Sequence, residues 1–348
     1  MRNGLIYTFF TLWAVAALWV TAKGFRPLGE PSCALLPQEN VALTEDKVLR
    51  KGELIVVGDI MAHLPQVDAA RVGYEHYDFG PHFEGVGGLF AEADYVVGNL
   101  ETTLSPRPPY GGYPTFATPE ELAHDMRRSG FDCVTIANNH SADRGVGGLL
   151  STVAALDNAG IDYVGARAER YAVGRTEPLV CRVGDFDVAL LAYTYGANGP
   201  VPVGVELNLL DTTTMRRHIE SVRQRVDCVV ALVHWGVEYA LRPNGEQRRL
   251  AEWMRGAGVD VVVGSHPHVA QPYEVWHDAE GRSVGGVFYS LGNFISNQNS
   301  PHTDWGLAAR LLLRQQGLGE PELTIRADTI RRLRYNEGGR VRYGLEVQ

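Results

Sequence analysis

Five segments of the sequence end an apolar run with residues that can bind metal ions or move protons. In chain order, these residues are Asp59, Asn99, Glu101, Asn139, His140, His234, His266 and His268. Carboxylate oxygen, amide oxygen and imidazole nitrogen together form a ligand set suited to Mn, Fe or Zn. Open α/β sheets build their sites at the carboxyl ends of the strands. The sequence therefore predicts a shared metal site at such an edge.

Each of these residues also has an ordinary structural explanation when it is taken alone. A strand-end aspartate such as Asp59 is often a helix N-cap, Asn139 is a common turn former, and His234 could be a satisfied core residue. The joint pattern favours a metal site, because four of the eleven histidines follow predicted strands. The predicted metal ligands are Asp59, Glu101, Asn139, His234, His266 and His268.

Other residues near these segments are candidates for supporting roles. We predict that Asp143, three residues after His140, either orients the ring of His140 or caps a helix. Asn99 is an auxiliary candidate. Asn293, in the segment SLGNF, could be a site residue or a turn residue. Glu238 could line the pocket, although ordinary loop packing explains it slightly better.

The elements that must position these residues alternate between short β-branched runs and amphipathic helices. The predicted strands lie at residues 54–57, 95–97, 133–137, 163–166, 188–194, 228–233, 259–264 and 287–291, and helices are predicted at 119–130, 148–160 and 246–258. This alternation predicts an α/β protein with largely parallel strand pairing. From about residue 306, strand-like segments are expected to complete a sheet edge.

The composition bounds the function classes that remain. Apolar residues make up 45% of the 348 residues and charged residues 21%, which supports a large core and excludes wholesale disorder. The net charge of −9 argues against nonspecific nucleic-acid binding. Residues 27–348 hold 29 basic and 41 acidic residues, a net charge of −12. A local cationic feature must therefore hold any anionic substrate.

The amino terminus carries an uncharged apolar run at residues 5–22, which is just long enough to cross a bilayer. It is either an uncleaved membrane anchor or a secretory signal cleaved near residue 22. We accordingly expect a protein of the cell envelope with its folded part outside the cytoplasm. The predicted organisation is a signal or anchor at 1–26, a linker at 27–51, one domain at 52–315 and a β extension at 316–348.

Six motifs, taken in order, resemble those of the CapA family of poly-γ-glutamate (capsule) synthesis proteins. They are VVGDIM, VVGNLET, IANNHSADRG, LVHWGVEY, GSHPHVAQPYEVW and YSLGNFI, and the resemblance covers roughly residues 52–315. This family is similar to the calcineurin-like metallophosphoesterases. The resemblance implies a four-layer α/β/β/α sandwich, in which two stacked mixed sheets carry helices outside and the site lies at the sheet edge.

The resemblance also implies a metal-assisted hydrolase-type site that holds one or two divalent ions. Asp59, Asn139, His234 and the pair His266 and His268 match metal-ligand positions. His140 matches an outer acid or phosphate-contacting histidine. The implied role is the synthesis, export or processing of an anionic polymer. A phosphoester or peptide-type substrate and a membrane polymer-synthesis complex are the other implied partners.

Two positions depart from the phosphoesterase pattern. Met61 stands where that pattern has a histidine, and Asn99 stands where it has a bridging aspartate. Because a thioether is a poor ligand for hard cations, one metal position lacks a ligand unless Glu101 or His63 supplies it. Enzymatic activity is therefore an open question. The alternatives are a non-catalytic scaffold of a membrane polymer-synthesis complex and an exported metal-dependent phosphodiesterase or nucleotidase.

Overall fold

The computed structural model describes residues 49–317, 319 and 321–348, so the predictions for the segment at 5–22 lie outside the described residues. The helices of this part are α1 (Leu64–Ala70), α2 (Gly80–Phe83), α3 (Gly87–Phe90), α4 (Glu121–Arg128), α5 (Gly145–Ala159), α6 (Thr212–Val222) and α7 (Gly245–Ala257). None of them combines the length and apolarity that are needed to span a bilayer.

The strands follow one another along the chain with short connections. They are β1 (Leu49–Ile60), β2 (Arg71–Gly73), β3 (His76–Tyr77), β4 (Tyr95–Leu100), β5 (Thr103–Ser105), β6 (Ala117–Pro119), β7 (Cys133–Thr135), β8 (Asp162–Val164), β9 (Ala166–Ala168), β10 (Val173–Arg175), β11 (Leu179–Val183), β12 (Phe186–Thr194), β13 (Val205–Leu207), β14 (Cys228–His234), β15 (Val261–Ser265), β16 (Tyr273–His277), β17 (Ser283–Phe288), β18 (Asn293–Ile295), β19 (Trp305–Gln316), β20 (Glu322–Glu337) and β21 (Arg340–Val347).

Two large sheets organise these strands. The first has eight strands in the order β21-β20-β19-β1-β4-β7-β8, with β18 also paired to β1. The second has six strands in the order β11-β12-β14-β15-β17-β16. In the first sheet the strands from β1 to β8 pair in parallel and the strands from β1 to β21 pair antiparallel. In the second sheet the central pairs are parallel, and β11 and β16 are antiparallel strands at the two edges. The α/β class with two mixed sheets is confirmed. The eight strands predicted from strand and helix alternation pair with one another in parallel, as expected, and the antiparallel pairs are added by other strands such as β11, β16 and β19.

The alternation of side chains along β12 shows how the layers stack. Leu190 and its neighbours two residues away belong to an apolar cluster that also contains Leu54 of β1, so the two sheets face each other. Leu191 points the other way, into a cluster with Met215 of α6 and Met254 of α7. Helices α4 and α5 join the first cluster through residues such as Leu122. The result is a sandwich with helices outside the sheets.

The predicted domain boundaries lie close to the ends of strands in the structure. Strand β1 begins at Leu49, three residues before the predicted domain start at residue 52, because Leu49 pairs with Gln316 of β19. The predicted β extension at 316–348 is formed by β20 and β21, which continue the eight-stranded sheet to its edge. The expectation that the tail completes a sheet edge is confirmed.

Strand β1 reaches the site through a close approach at Gly58. A Cβ at this position would collide with the carbonyl oxygen of Gly292, the same oxygen that accepts a hydrogen bond from the amide of Asp59 at 3.0 Å. The absence of a side chain at Gly58 thus lets the backbone that carries Asp59 lie directly against the segment before β18.

We predict that Gly58→Ala lowers the free energy of unfolding by about 1–3 kcal/mol, the usual cost of forcing extra atoms into a packed core. Gly147→Ala is the matched control, because a Cβ there meets no atom within 4 Å. In helix α5 that change should be neutral or stabilise the fold by a few tenths of a kcal/mol. Urea unfolding of both variants measures the difference, and equal stabilities would contradict this account of Gly58.

Candidate metal centre

Strand register gathers the predicted residues at one edge of the two sheets. Asp59 at the end of β1 stands opposite Asn99 of β4 on one side and opposite Asn293 of β18 on the other. In the second sheet, His234 at the end of β14 stands opposite Ser265 of β15. The register of β1 also shifts near Asp59, as strands with bulges commonly do next to active sites.

The segment after β15 carries two histidines on unusual backbone. His266 has a φ of 96° and His268 a φ of 60°, both in the left-handed region that residues with side chains rarely adopt. Backbone of this kind costs about 1–3 kcal/mol and persists where the surrounding structure requires it. Here it turns both imidazoles toward the first sheet, where Nδ1 of His268 lies 3.0 Å from Oδ2 of Asp59.

Glu101 is the most unusual side chain of the site. It is fully buried, and neither of its carboxylate oxygens has a hydrogen-bond partner among the described residues. Its Oε1 lies 3.5 Å from Nε2 of His234 and 3.9 Å from Nε2 of His268. Burial, followed by the charge of Asp59, raises the pKa of Glu101 well above its ordinary value. This carboxylate is placed where only a cation or a proton can satisfy it.

The neighbouring imidazoles are held in the neutral form that binds metals. Burial lowers the pKa of His234 well below its ordinary value and lowers the pKa of His266 to about 4, and the adjacent histidines add to both effects. The Nδ1 of His266 is buried and has no partner within the described part of the chain. Nε2 of His234 lies 2.8 Å from Oδ1 of Asn139, so both atoms could bind one ion.

The donor atoms meet closely enough to share a cation. Three groups have ligand atoms within 4.8 Å of one another: Glu101 with His234 and His266, Asp59 with Glu101 and His268, and Glu238 with His266 and His268. Carboxylate and imidazole donors of this kind suit Zn, Mn or Fe. The residues present therefore fit a divalent metal ion. The structure brings all six predicted ligand residues to this edge.

The orientation of Asn99 is fixed by its neighbour Asn138. The Oδ1 of Asn138 accepts from the amide of His140 at 3.1 Å, and its Nδ2 donates to the carbonyl of Leu100 at 2.8 Å. The same Nδ2 donates to Oδ1 of Asn99 at 3.1 Å, so the Nδ2 of Asn99 must face Asp59, at 2.8 Å. An amide donor, and not a carboxylate, therefore stands between Asp59 and the second sheet.

His140 and Asp143 form a buried pair beside these donors. Nδ1 of His140 lies 2.7 Å from Oδ2 of Asp143, and the same oxygen accepts from the backbone amide of Phe116 at 2.6 Å. The residue at the N-cap of α5 is Arg144, and it makes no side-chain cap bond. Of the two roles expected for Asp143, orientation of the His140 ring is the one that the contacts support.

A cavity of about 170 Å³ opens beside this pair. Its wall includes His140, Met61, His63, Glu238 and Phe116. The thioether of Met61 is buried at the wall and offers no hard donor. His63 also faces the cavity, but among the described residues it belongs to none of the groups whose donor atoms converge.

Asn293 has a supporting position. It lies in strand β18, and its Nδ2 donates to Oε1 of Gln298 at 2.9 Å, which ties down the loop that follows. The expectation that it could be a turn residue does not hold, because it pairs with Asp59 in the sheet. Sequence reasoning passed over Asn138 and Asn198, which only their contacts identify: Asn198 binds Asn139 at 3.1 Å.

Comparison with known proteins identifies the family of this fold and site. Residues 53–298 match the family described as "Bacterial capsule synthesis protein PGA_cap", so the chain belongs to this family. The predicted family is confirmed, and with it the assignment to capsule or PGA biosynthesis proteins of the CapA type.

Two relatives and one solved structure illustrate the similarity. The PGA biosynthesis protein CapA of Bacillus subtilis is 30% identical over 257 residues, which cover 70% of this chain and 63% of that protein. The capsule biosynthesis protein CapA of Bacillus anthracis is 30% identical over 295 residues, covering 80% and 68%. The structure of a phosphatase from Mycoplasma pneumoniae aligns with a TM-score of 0.49 at 12% identity, covering 81% of this chain and 94% of that one.

We predict that His234→Ala and His266→Ala each weaken Zn²⁺ binding by more than about 100-fold. Loss of a residue that hydrogen-bonds to a metal ligand costs up to about 100-fold, and loss of a ligand should cost more. His277→Ala is the control, because His277 is exposed on strand β16. Isothermal titration calorimetry and elemental analysis of the purified protein give the readout. If both site variants bound Zn²⁺ as the control does, the assignment of this centre would be wrong.

Metal binding should also release a proton from Glu101. Because burial raises the pKa of this carboxyl, the metal-free protein keeps it protonated at pH values somewhat above its ordinary pKa. A cation displaces that proton, so affinity should rise with pH until the raised pKa is passed. Calorimetry at about pH 5.5, in two buffers of different ionisation enthalpy, measures the number of protons released when the metal binds. Glu101→Gln should release about one proton fewer than the parent protein. Equal proton release would contradict the role given to Glu101.

Proposed function

We propose that this protein acts in the synthesis, export or processing of an anionic capsule polymer such as poly-γ-glutamate, through a hydrolase-type site that holds a divalent cation. The observation that carries the proposal is the buried, unpartnered carboxylate of Glu101, next to neutral imidazoles of His234 and His266. Membership of a capsule synthesis family supports the polymer as substrate class. An envelope location, through the apolar segment at 5–22, is part of the same proposal.

The side chains at the site favour one ion over two. Glu101, His234 and His266 would hold this ion. Nε2 of His234, which lies 3.5 Å from Oε1 of Glu101, also lies 2.8 Å from Oδ1 of Asn139. The second group, Asp59 with Glu101 and His268, shares Glu101 with the first, and Nδ1 of His268 already lies 3.0 Å from Oδ2 of Asp59. In the phosphoesterase pattern a second ion also uses donors at positions 61 and 99. Met61 offers only a thioether, and Asn99 presents its Nδ2, which donates to Asp59. We therefore infer a single-ion centre, with Zn, Mn or Fe as candidates.

Activation of water and proton transfer would be carried out by different groups of the site. A bound divalent ion supplies Lewis-acid polarisation and makes water more acidic. Asp143 holds Nδ1 of His140, so Nε2, which lies 3.3 Å from Nδ2 of Asn198, is the ring nitrogen that would give a proton to a leaving group. The burial of this pair and the backbone amide bound to Asp143 keep the ring in one orientation. The cavity that His140 lines leaves room for a substrate beside its ring.

A non-catalytic role in a membrane polymer-synthesis complex is the alternative favoured by the side chains at positions 61 and 99. Neither Met61 nor Asn99 supplies the ligand that a two-ion centre would use. In that alternative the buried donors would serve to hold a structural ion, and His140 would have no proton to transfer. The two proposals therefore differ in what they expect of His140.

We predict that His140→Ala lowers polymer production by about 100-fold or more, the usual contribution of a general acid. The test replaces the native copy in a host that depends on this chain for polymer, with His277→Ala as control. Zn²⁺ binding by His140→Ala should stay near the parent value. Undiminished polymer with intact metal binding would overturn the catalytic proposal and favour the scaffold.

Turnover of chromogenic phosphoesters with added Mn, lost in His140→Ala, would instead indicate a phosphodiesterase.

A further inference from the structure

Strands β20 and β21 carry a group of arginines that the metal centre does not use. Two adjoining surface cavities, of about 330 and 510 Å³, share Arg334 and Tyr343 in their walls. The first also contains Arg332, and the second contains Arg71 and Arg340. We name the two cavities together the arginine groove. It is a concentration of positive charge on a chain whose net charge is −9.

These four arginines lack the partners that neutralise others nearby. No carboxylate of the described residues lies within 4.0 Å of Arg71, Arg332, Arg334 or Arg340, whereas Arg310 and Arg342 each pair with a glutamate. The acidic members of the lining are Asp68 and Asp304. Four guanidinium groups against two carboxylates leave the groove cationic. Arginine is the side chain best suited to bind carboxylates in a forked geometry.

The inner end of the arginine groove contains buried polar atoms without partners. Arg332 donates to the carbonyl oxygens of Ser296, Gln298 and Thr303, while its Nε is buried and has no acceptor among the described residues. Burial lowers the pKa of Arg332 only to about 10, so it remains a cation at neutral pH. His82, 4% exposed, lines the same cavity, and neither of its ring nitrogens has a partner there.

The arrangement along the hairpin suits a repeating ligand better than a small one. Arg332 and Arg334 are two residues apart, so they project from one face of β20, and Tyr343 of β21 is opposite Arg334. Arg340 of β21 is opposite Glu337, which lies five residues beyond Arg332 along β20. Strand alternation assigns Arg340 to the other face of the hairpin, but near the turn it lines the same cavity as Arg334. At roughly 3.3 Å per residue, the positions from Arg332 to Glu337 extend over about 16 Å. No single carboxylate could contact all of them.

One loop joins the arginine groove to the metal centre. Gln298 lines both the inner cavity of the groove and the cavity beside His140. Its Nε2 donates to the hydroxyl of Tyr239 at 3.3 Å, and its Oε1 accepts from Asn293. A chain bound along the groove would therefore lie next to the proposed catalytic cavity.

We propose that the arginine groove binds a flexible polymer with repeated carboxylates and presents it to the metal centre. The proposal rests on the proposed function for its choice of a carboxylate polymer. It adds a second binding site, separate from the metal ligands and formed by β20, β21 and the residue Arg71 at the start of β2.

The test measures binding of fluorescently labelled poly-γ-glutamate to the full chain and to Arg334→Gln/Arg340→Gln. We expect that variant to bind at least 10-fold more weakly. The matched control is Arg314→Gln/Arg326→Gln, which removes the same charge from exposed positions of the same sheet, away from the groove. We expect the control to bind within twofold of the parent and free glutamate to compete poorly.

Equal weakening in the groove variant and the control would show attraction by bulk charge alone and overturn the proposal. Unchanged binding in both would overturn it as well. Stronger competition by polyphosphate than by unlabelled poly-γ-glutamate would reject the carboxylate polymer in favour of a phosphate one. Zn²⁺ binding, measured on the same preparations, separates this result from the proposed function. The groove variant should retain it, because none of its changes touches a metal ligand.

Discussion

A carboxylate without a partner, buried between imidazoles, is the constraint on which this site depends. Removing an ionised carboxylate from water costs several kcal/mol unless a charge or hydrogen bonds replace the lost hydration. Glu101 has neither among the described residues, and its Oε1 lies near Nε2 of both His234 and His268. Protonation satisfies the metal-free state, and a cation satisfies the ionised one. The surrounding donors are placed for the second of these.

Holding these donors in place lowers the stability of the fold. His266 and His268 hold left-handed backbone, and the segment before β18 approaches Gly58 too closely for any side chain. Buried amides complete the scaffold, because Asn138 sets the direction in which Asn99 points. Such costs are typical of sites that hold their donors ready before the ligand arrives. The two sheets contribute because each ends at the same edge and supplies part of the donor set.

Much of the site could be predicted from the sequence, because its residues directly follow apolar strands. Asp59, Asn99 and His234 stand at strand ends in the structure, as the motif pattern indicated. The antiparallel pairs could not be predicted in this way, since an alternation of strands and helices does not show that β19 runs antiparallel to β1. The direction of the Asn99 amide was equally hidden, because it depends on contacts made by Asn138 across two strands.

The cationic surface of the carboxyl-terminal hairpin shows a second limit of sequence reasoning. From the sequence alone, the arginines of β20 and β21 are expected on the exposed face of a strand at the sheet edge. The net charge of the whole chain is negative and gives no sign of a local cationic surface. Which of them have acidic partners is decided by the packing of the hairpin, where Arg342 pairs with Glu337 of the neighbouring strand, and that packing is not visible in the sequence. The need for a local cationic feature could be inferred, but its location on the hairpin could not.

Zinc-edge anomalous diffraction from crystals grown with Zn²⁺ tests the central claim most directly. We expect one strong peak at about 2.0–2.2 Å from Glu101 and from the nitrogens of His234 and His266, the usual zinc–ligand distances. A second peak of equal height beside Asp59 and Asn99 would contradict the single-ion centre. The absence of any peak near Glu101 would contradict the metal site itself.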